Sequence, residues 1–129
     1  MKRILAIDDD PINRMLMSVL LEPEFTCDVV NSVNHALENL KQNKYDLIIT
    51  DINLPGEFNG IWLGSFIKNN GDYSKIPVIA ITAHTLTYAE NPEVASAFDI
   101  VLQKPLIKEK LIQDLNSLFQ NPTPKEKLN

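Results

Sequence analysis

Cysteine occurs once in these 129 residues, at Cys27, so no intrachain disulfide framework can hold the fold and the chain must bury a core of its own. Glycine is scarce too: there are four, and none opens a Gly-rich turn after the first apolar run, which excludes a dinucleotide-binding fingerprint. No apolar run approaches the ~20 residues of a membrane-spanning helix. Met1-Lys2-Arg3 leads into only four apolar residues, too few for a secretory leader, so the expected location is a reducing cytoplasm. Basic residues are outnumbered, 12 against 17 acidic ones, for a formal charge of -5, which argues against a nucleic-acid footprint. Any control of genes would run through a protein partner. The two histidines, His35 and His84, have no second metal-type ligand at a recognisable spacing and read as surface or loop residues. The length fits one domain and leaves no room for a second folded module.

The chain does contain a series of short apolar runs that end in chemistry-bearing residues. Residues 3–7 form the first predicted strand and stop at Asp8-Asp9-Asp10-Pro11. Pro11 suits the first turn of a helix and Asp10 its N-cap, and Ile12, Met15, Leu16, Val19 and Leu20 recur at helical spacing, which predicts one helix to about Leu21. Residues 25–30 read as a second strand. Val33, Ala36, Leu37 and Leu40 mark a second helix. Leu47, Ile48, Ile49 and Thr50 then drive a doubly buried strand into Asp51. After a loop containing Pro55, Gly56 and Gly60, a helix runs through Ile61, Leu63, Phe66 and Ile67, and residues 76–81 make a fourth strand that delivers Thr82. Pro92 opens a short helix to Phe98, residues 100–102 are a brief fifth strand, and Lys104-Pro105 follows it. Ile107, Leu111, Ile112, Leu115, Leu118 and Phe119 give the last helix its predicted core stripe, and residues 120–129 read as a flexible C-terminal tail.

Five strands alternating with five helices predict an α/β fold, a doubly wound parallel sheet, in one domain over residues 1–119. With strand order 2-1-3-4-5, the first and third strands are neighbours at the switch point, and Asp8 or Asp9 lies close to Asp51. Two carboxylates ~4 Å apart repel by about 4 kcal/mol at an effective dielectric near 20. Either one acid keeps a proton or a hard divalent cation binds, and an all-oxygen set open to water suits Mg²⁺ better than Ca²⁺. A carboxylate can act as nucleophile toward phosphorus if the incoming charge is neutralised. Lys104 and Mg²⁺ would supply that charge, with the Thr82 hydroxyl and main-chain N–H groups near Asn53 or Ala83 as further donors. Taken singly, Asp10 is better explained as a helix cap and Lys104-Pro105 as a solvated turn, and Thr82 serves equally well as an ordinary strand end; the case rests on their convergence.

In these motifs the sequence resembles the receiver domain of two-component response regulators. Ile-Leu-Ala-Ile-Asp8-Asp9-Asp10-Pro-Ile-Asn-Arg resembles the family's acidic-pair strand end, Leu-Ile-Ile-Thr-Asp51-Ile-Asn-Leu-Pro its phosphoacceptor strand, Ile-Pro-Val-Ile-Ala-Ile-Thr82-Ala83 its switch hydroxyl, and Leu-Gln-Lys104-Pro105 its lysine. The resemblance implies a flavodoxin-like, chemotaxis-regulator-like receiver, and with no output domain after Phe119 a stand-alone receiver or a shuttle in a phosphorelay is expected. It implies that Asp51 accepts a phosphoryl group from a histidine kinase or a histidine phosphotransfer protein. Asp9, Asp51 and the backbone carbonyl of Asn53 would bind Mg²⁺, with Asp8 reaching it through water. Thr82, Ala83 and Lys104 would hold the phosphoryl group. The domain would promote only its own phosphorylation and dephosphorylation, and would act by binding a downstream protein, with no contact to membrane or nucleic acid.

Three positions depart from the family pattern. Gly56-Glu57-Phe58-Asn59 precede Gly60, one residue more than is usual; Ala97 stands where a helix-ending Gly is common; and Val101 replaces the usual Tyr or Phe. A stiff valine makes a poor lever, so the readout is expected in the loop after Thr82, through Ala83, His84 and Thr85. Two rival readings use the same motifs. A haloacid-dehalogenase-like phosphatase would use Asp8-Asp9-Asp10, Thr82 and Lys104, but leaves Asp51 idle and lacks a late acidic pair. A receiver-shaped module that is never phosphorylated would be expected to have lost an acid or the lysine.

Overall fold

The computed structural model describes residues 1–83 and 91–120. The elements run β1 Arg3–Ile7, α1 Pro11–Leu21, β2 Thr26–Val30, α2 Val33–Gln42, β3 Leu47–Asp51, α3 Gly60–Asn69, β4 Val78–Thr82, α4 Pro92–Ala97, β5 Ile100–Gln103 and α5 Lys108–Gln120. The strands form one parallel sheet in the order β2-β1-β3-β4-β5, the doubly wound arrangement expected from the sequence.

Local chemistry fixes where the helices begin. Asp10, Ser32, Asn59 and Asn91 each sit at an N-cap in extended conformation, and each side chain accepts from a main-chain N–H in the first turn. Pro11 and Pro92 occupy first-turn positions, where a missing N–H costs nothing.

Alternation along the strands divides the core between the two faces of the sheet. Leu5, Ile7, Ile48, Val78 and Ala80 pack with Val33, Leu40, Leu63, Ile67, Val94 and Phe98 of α2, α3 and the α4 end. Ile4, Ala6, Leu47, Ile49, Ile79 and Ile81 pack with Met17, Leu21, Leu111, Leu115 and Leu118 of α1 and α5. The middle strands are buried along their length, β3 and β4 at every position. Lys68 of α3 pairs with Asp99, whose carboxylate also accepts the Val78 N–H, tying that helix to the start of β4.

Several expectations need correction. The apolar spacing in α1 correctly signals a helix, but Ile12, Met15, Leu16 and Val19 point outward, 50–74% exposed, while Met17 and Leu21 are buried. The helix is apolar on nearly all sides, so periodicity alone does not select its inner face. Ile107 precedes α5 and is exposed rather than part of its core stripe. Phe25 is buried against Phe119 but lies just before β2, and β4 begins at Val78 rather than at 76. Val101 is half-buried, pairs with Ala80 and packs against the α2–α3–α4 core. Helix α5 includes Gln120, while the rest of the expected tail, residues 121–129, lies outside the described residues. So do His84 and Thr85 of the loop expected to carry the readout.

Candidate functional site

Three strand ends and a turn meet at the carboxyl edge of the sheet. Ile7 pairs with Thr50 in the β1–β3 register, which puts Asp8 and Asp51 side by side at the next step, and Asp51 in turn pairs with Ile81, one residue before Thr82. Thr82 pairs with Gln103 of β5, and the Lys104 N–H donates to the Thr82 carbonyl at 2.8 Å, bringing the lysine back over the sheet edge. This is the crevice that a doubly wound sheet leaves at its switch point.

The acids are arranged as a group. One carboxylate oxygen from each of Asp8, Asp9 and Asp51 lies within 4.8 Å of the others; Asp8 and Asp51 are buried and Asp9 is exposed. At an effective dielectric near 20, each such pair repels by roughly 3.5 kcal/mol. Asp51 Oδ1 accepts the Asn53 N–H at 2.9 Å, and Oδ2 accepts from Lys104 Nζ at 3.0 Å. Lys104 Nζ also stands 3.6 Å from Asp8 Oδ2. Burial alone would pull the Lys104 pKa down, but its hydrogen bond and charge pairing with Asp51, and its attraction to Asp8, outweigh that and leave it above the ordinary lysine value. The ammonium is thus the cation that the acids hold in place.

Of the residues singled out in the sequence, Asp8, Asp9, Asp51 and Lys104 converge directly, and Thr82 is buried at the adjoining strand end. Asn53 is exposed, and its N–H is already engaged in fixing Asp51. Ala83 is exposed and lines a groove of about 310 Å³ with Asp8, Leu16, Met17, Lys104 and Leu106. Asp10 caps α1 through the Ile12 N–H and stands outside the acid triad.

Two features escaped the sequence reading. Arg14 reaches back from α1 and donates from Nη1 to the Asp8 carbonyl at 2.8 Å; its place one turn after the Asp10 cap was the available signal. Gly60 packs so tightly on β3 that a Cβ there would overlap the Asp51 carbonyl oxygen and stand 2.8 Å from Ile52 Cα. Only glycine fits this approach, which sets the start of α3 directly against the end of β3.

Comparison with known proteins agrees with this geometry. The family model described as the response regulator receiver domain matches residues 4–116. The chain is 32% identical over 109 residues to the signal transduction histidine-protein kinase BarA of Escherichia coli K12; the match covers 84% of this chain but only 12% of that kinase. Among solved structures, a sensor protein from Polaromonas sp. JS666 superimposes with a TM-score of 0.81 at 27% identity, covering 93% of this chain and 97% of that one. The response regulator TrrA of Thermotoga maritima, solved in complex with Mg(2+)-BeF, gives 0.80 at 28% identity, covering 92% and 99%. By the extent of the family match and its identity to these relatives, the chain belongs to the response regulator receiver domain family.

Proposed function

We propose that residues 1–119 form a cytoplasmic receiver whose Asp51 accepts a phosphoryl group from the phosphohistidine of a histidine kinase or histidine phosphotransfer protein. The observation that carries this reading is the Asp51 carboxylate, held by Lys104 Nζ at 3.0 Å within a triad of acids. A carboxylate oxygen attacks phosphorus, the P–N bond to the donor imidazole breaks, and an acyl phosphate forms on Asp51 as the imidazole leaves with a solvent proton. Lys104, freed from Asp51 Oδ2, pairs with a phosphoryl oxygen, while the Thr82 hydroxyl and the Ala83 N–H donate to the others.

The donor set fits Mg²⁺. Three carboxylate oxygens gather within 4.8 Å, and exposed Asp9 leaves the site open to the waters that this ion retains. Asp9, Asp51 and the Asn53 carbonyl would hold it directly, with Asp8 reaching it through water. The ion would neutralise part of the acid cluster and of the arriving phosphoryl charge. TrrA, solved with Mg(2+)-BeF, is a relative in which the metal and a fluoride complex are bound together.

The outward face of α1 supports a protein donor. Ile12, Met15, Leu16 and Val19 make an exposed apolar stripe, and Leu16 also lines the groove that contains Asp8 and Lys104. A helix from the donor lying along this stripe would bring its histidine to the acid cluster. In the test, the chain is incubated with acetyl phosphate and Mg²⁺ and its intact mass is measured. A single phosphoryl increment that disappears in Asp51→Asn and with EDTA is expected; an increment persisting in Asp51→Asn at an unshifted rate would overturn the assignment.

A further inference from the structure

Arg14 lies one turn into α1 and takes no part in the steps above, yet its guanidinium is committed to the site. Along the β1–β2 edge the Thr26 N–H donates to Lys2 O, and the Asp8 N–H to Val30 O at 3.1 Å. The next acceptor on that edge is the Asp8 carbonyl. Strand β2 has ended at Val30, and the donor comes from Arg14 Nη1 at 2.8 Å, in a part-buried bond. Asp8 Oδ1 meanwhile accepts the Asp10 N–H at 2.9 Å, which leaves Oδ2 as the oxygen facing Lys104. Arg14 thus completes a set of three bonds that fix Asp8 through its N–H, its carbonyl and one carboxylate oxygen.

The charge of Arg14 matters as much as its bond. Asp8, Asp9, Asp10 and Asp51 bring four negative charges to this edge, and Lys104 is the ammonium paired with Asp8 and Asp51. None of the ion pairs among the described residues involves Arg14. Its guanidinium stands against the main chain of Asp8 as a second positive charge that no carboxylate among the described residues claims. A cation in that place acts in opposite directions on the two partners of the site. It opposes binding of a divalent metal, and it favours approach of an anionic phosphodonor to a carboxylate.

We infer that Arg14 is a positioning residue for phosphoryl acceptance: it holds Asp8 at the mouth of the site and offsets acidic charge as the phosphodonor arrives. The inference rests on the acceptor reading of Asp51. A group that served only to stabilise the fold would not separate metal binding from transfer; this one should.

The experiment compares the wild type, Arg14→Gln and Arg14→Lys in Mg²⁺ titrations followed by amide chemical shifts of residues 8–10 and 51–53. Initial rates of labelling by acetyl phosphate at saturating Mg²⁺, and melting temperatures, are measured alongside. Arg14→Gln is expected to bind Mg²⁺ as tightly as the wild type or more tightly, yet to be labelled about tenfold more slowly, with Arg14→Lys recovering to within about threefold of wild type. An unchanged rate in Arg14→Gln overturns the inference. So does a parallel loss of Mg²⁺ affinity, rate and melting temperature, which would make Arg14 a structural residue. A wild type that accepts no phosphoryl group overturns the acceptor reading itself, and this inference with it.

Discussion

Gly60→Ala adds one methyl group at the first position of α3, and the structure states what it meets. The new Cβ would overlap the Asp51 carbonyl oxygen, with Ile52 Cα at 2.8 Å and the Asp51 carbonyl carbon at 3.0 Å. All three are main-chain atoms of Asp51 and Ile52 at the end of β3, so no rotamer change relieves the clash; the helix and the strand end must part by roughly 1 Å. Overpacking of this kind costs about 1–3 kcal/mol, and a backbone-on-backbone clash belongs at the upper end. With an unfolding entropy of roughly 2.1 cal/mol/K per residue, 129 residues give about 0.27 kcal/mol/K, so ~3 kcal/mol lowers Tm by about 11 °C. The strain also falls on the residues that position the Asp51 side chain, because the Asn53 N–H holds its Oδ1. Labelling by acetyl phosphate should therefore fall at temperatures where the variant is still folded. Gly71→Ala is the control, since nothing lies within 4 Å of a Cβ at that position. Thermal melts followed by circular dichroism provide the readout. A Gly60→Ala protein that melts within about 2 °C of the wild type would show that α3 and the end of β3 part at little cost.

Two further predictions concern the surface and the lone thiol. Met15→Glu places a charge in the centre of the exposed α1 stripe; transfer from a phosphotransfer domain that labels the wild type should slow at least tenfold, while acetyl phosphate labels both proteins alike. Equal slowing with both donors would remove α1 as the docking face. Burial first, then the charges of Asp28 and Glu22, push the Cys27 thiol from 9.0 up to about 12. Its thiolate fraction at pH 8 is then about a thousandfold below that of a free thiol, and a thiol reagent should react correspondingly slowly in the folded protein. Because the folded pKa lies above the unfolded one, the associated stability is present below pH 9 and is lost as pH rises toward 12. Cys27→Ser should flatten denaturant-measured stability across that window, and an unchanged slope would contradict the assignment.

The parts of the fold that were legible in the sequence are those with local causes. Asp10-Pro11 and Asn91-Pro92 mark helix starts because capping and proline geometry act within one turn, and the observed bounds fall within one or two residues of those expected. The strand-end residues Asp8, Asp51, Thr82 and Lys104 were legible because a parallel sheet collects its strand ends at one edge. Features that depend on distant partners were not legible. Helix α1 carries apolar residues on most of its surface, so the buried Met17 and Leu21 could not be told from the outward Met15 and Leu16 without knowing where α5 lies. The rings of Phe58, Trp62, Phe66 and Tyr73 form a ladder with neighbouring centroids 4.5–6.4 Å apart, beginning in the β3–α3 loop. The loop's length was readable from the sequence, but that it turns Phe58 back onto Trp62 was not. The bond from Arg14 to the Asp8 carbonyl likewise arises only because β2 stops at Val30.

The proposed chemistry turns one carboxylate, that of Asp51, into an acyl phosphate. The most direct measurement is to treat the phosphorylated protein with borohydride, which reduces an acyl phosphate to the alcohol, and to sequence the peptides by mass spectrometry. Homoserine at position 51, and at no other aspartate, is the predicted result. Homoserine at position 8 or 9, or a phosphoryl increment that survives reduction unchanged, would contradict it.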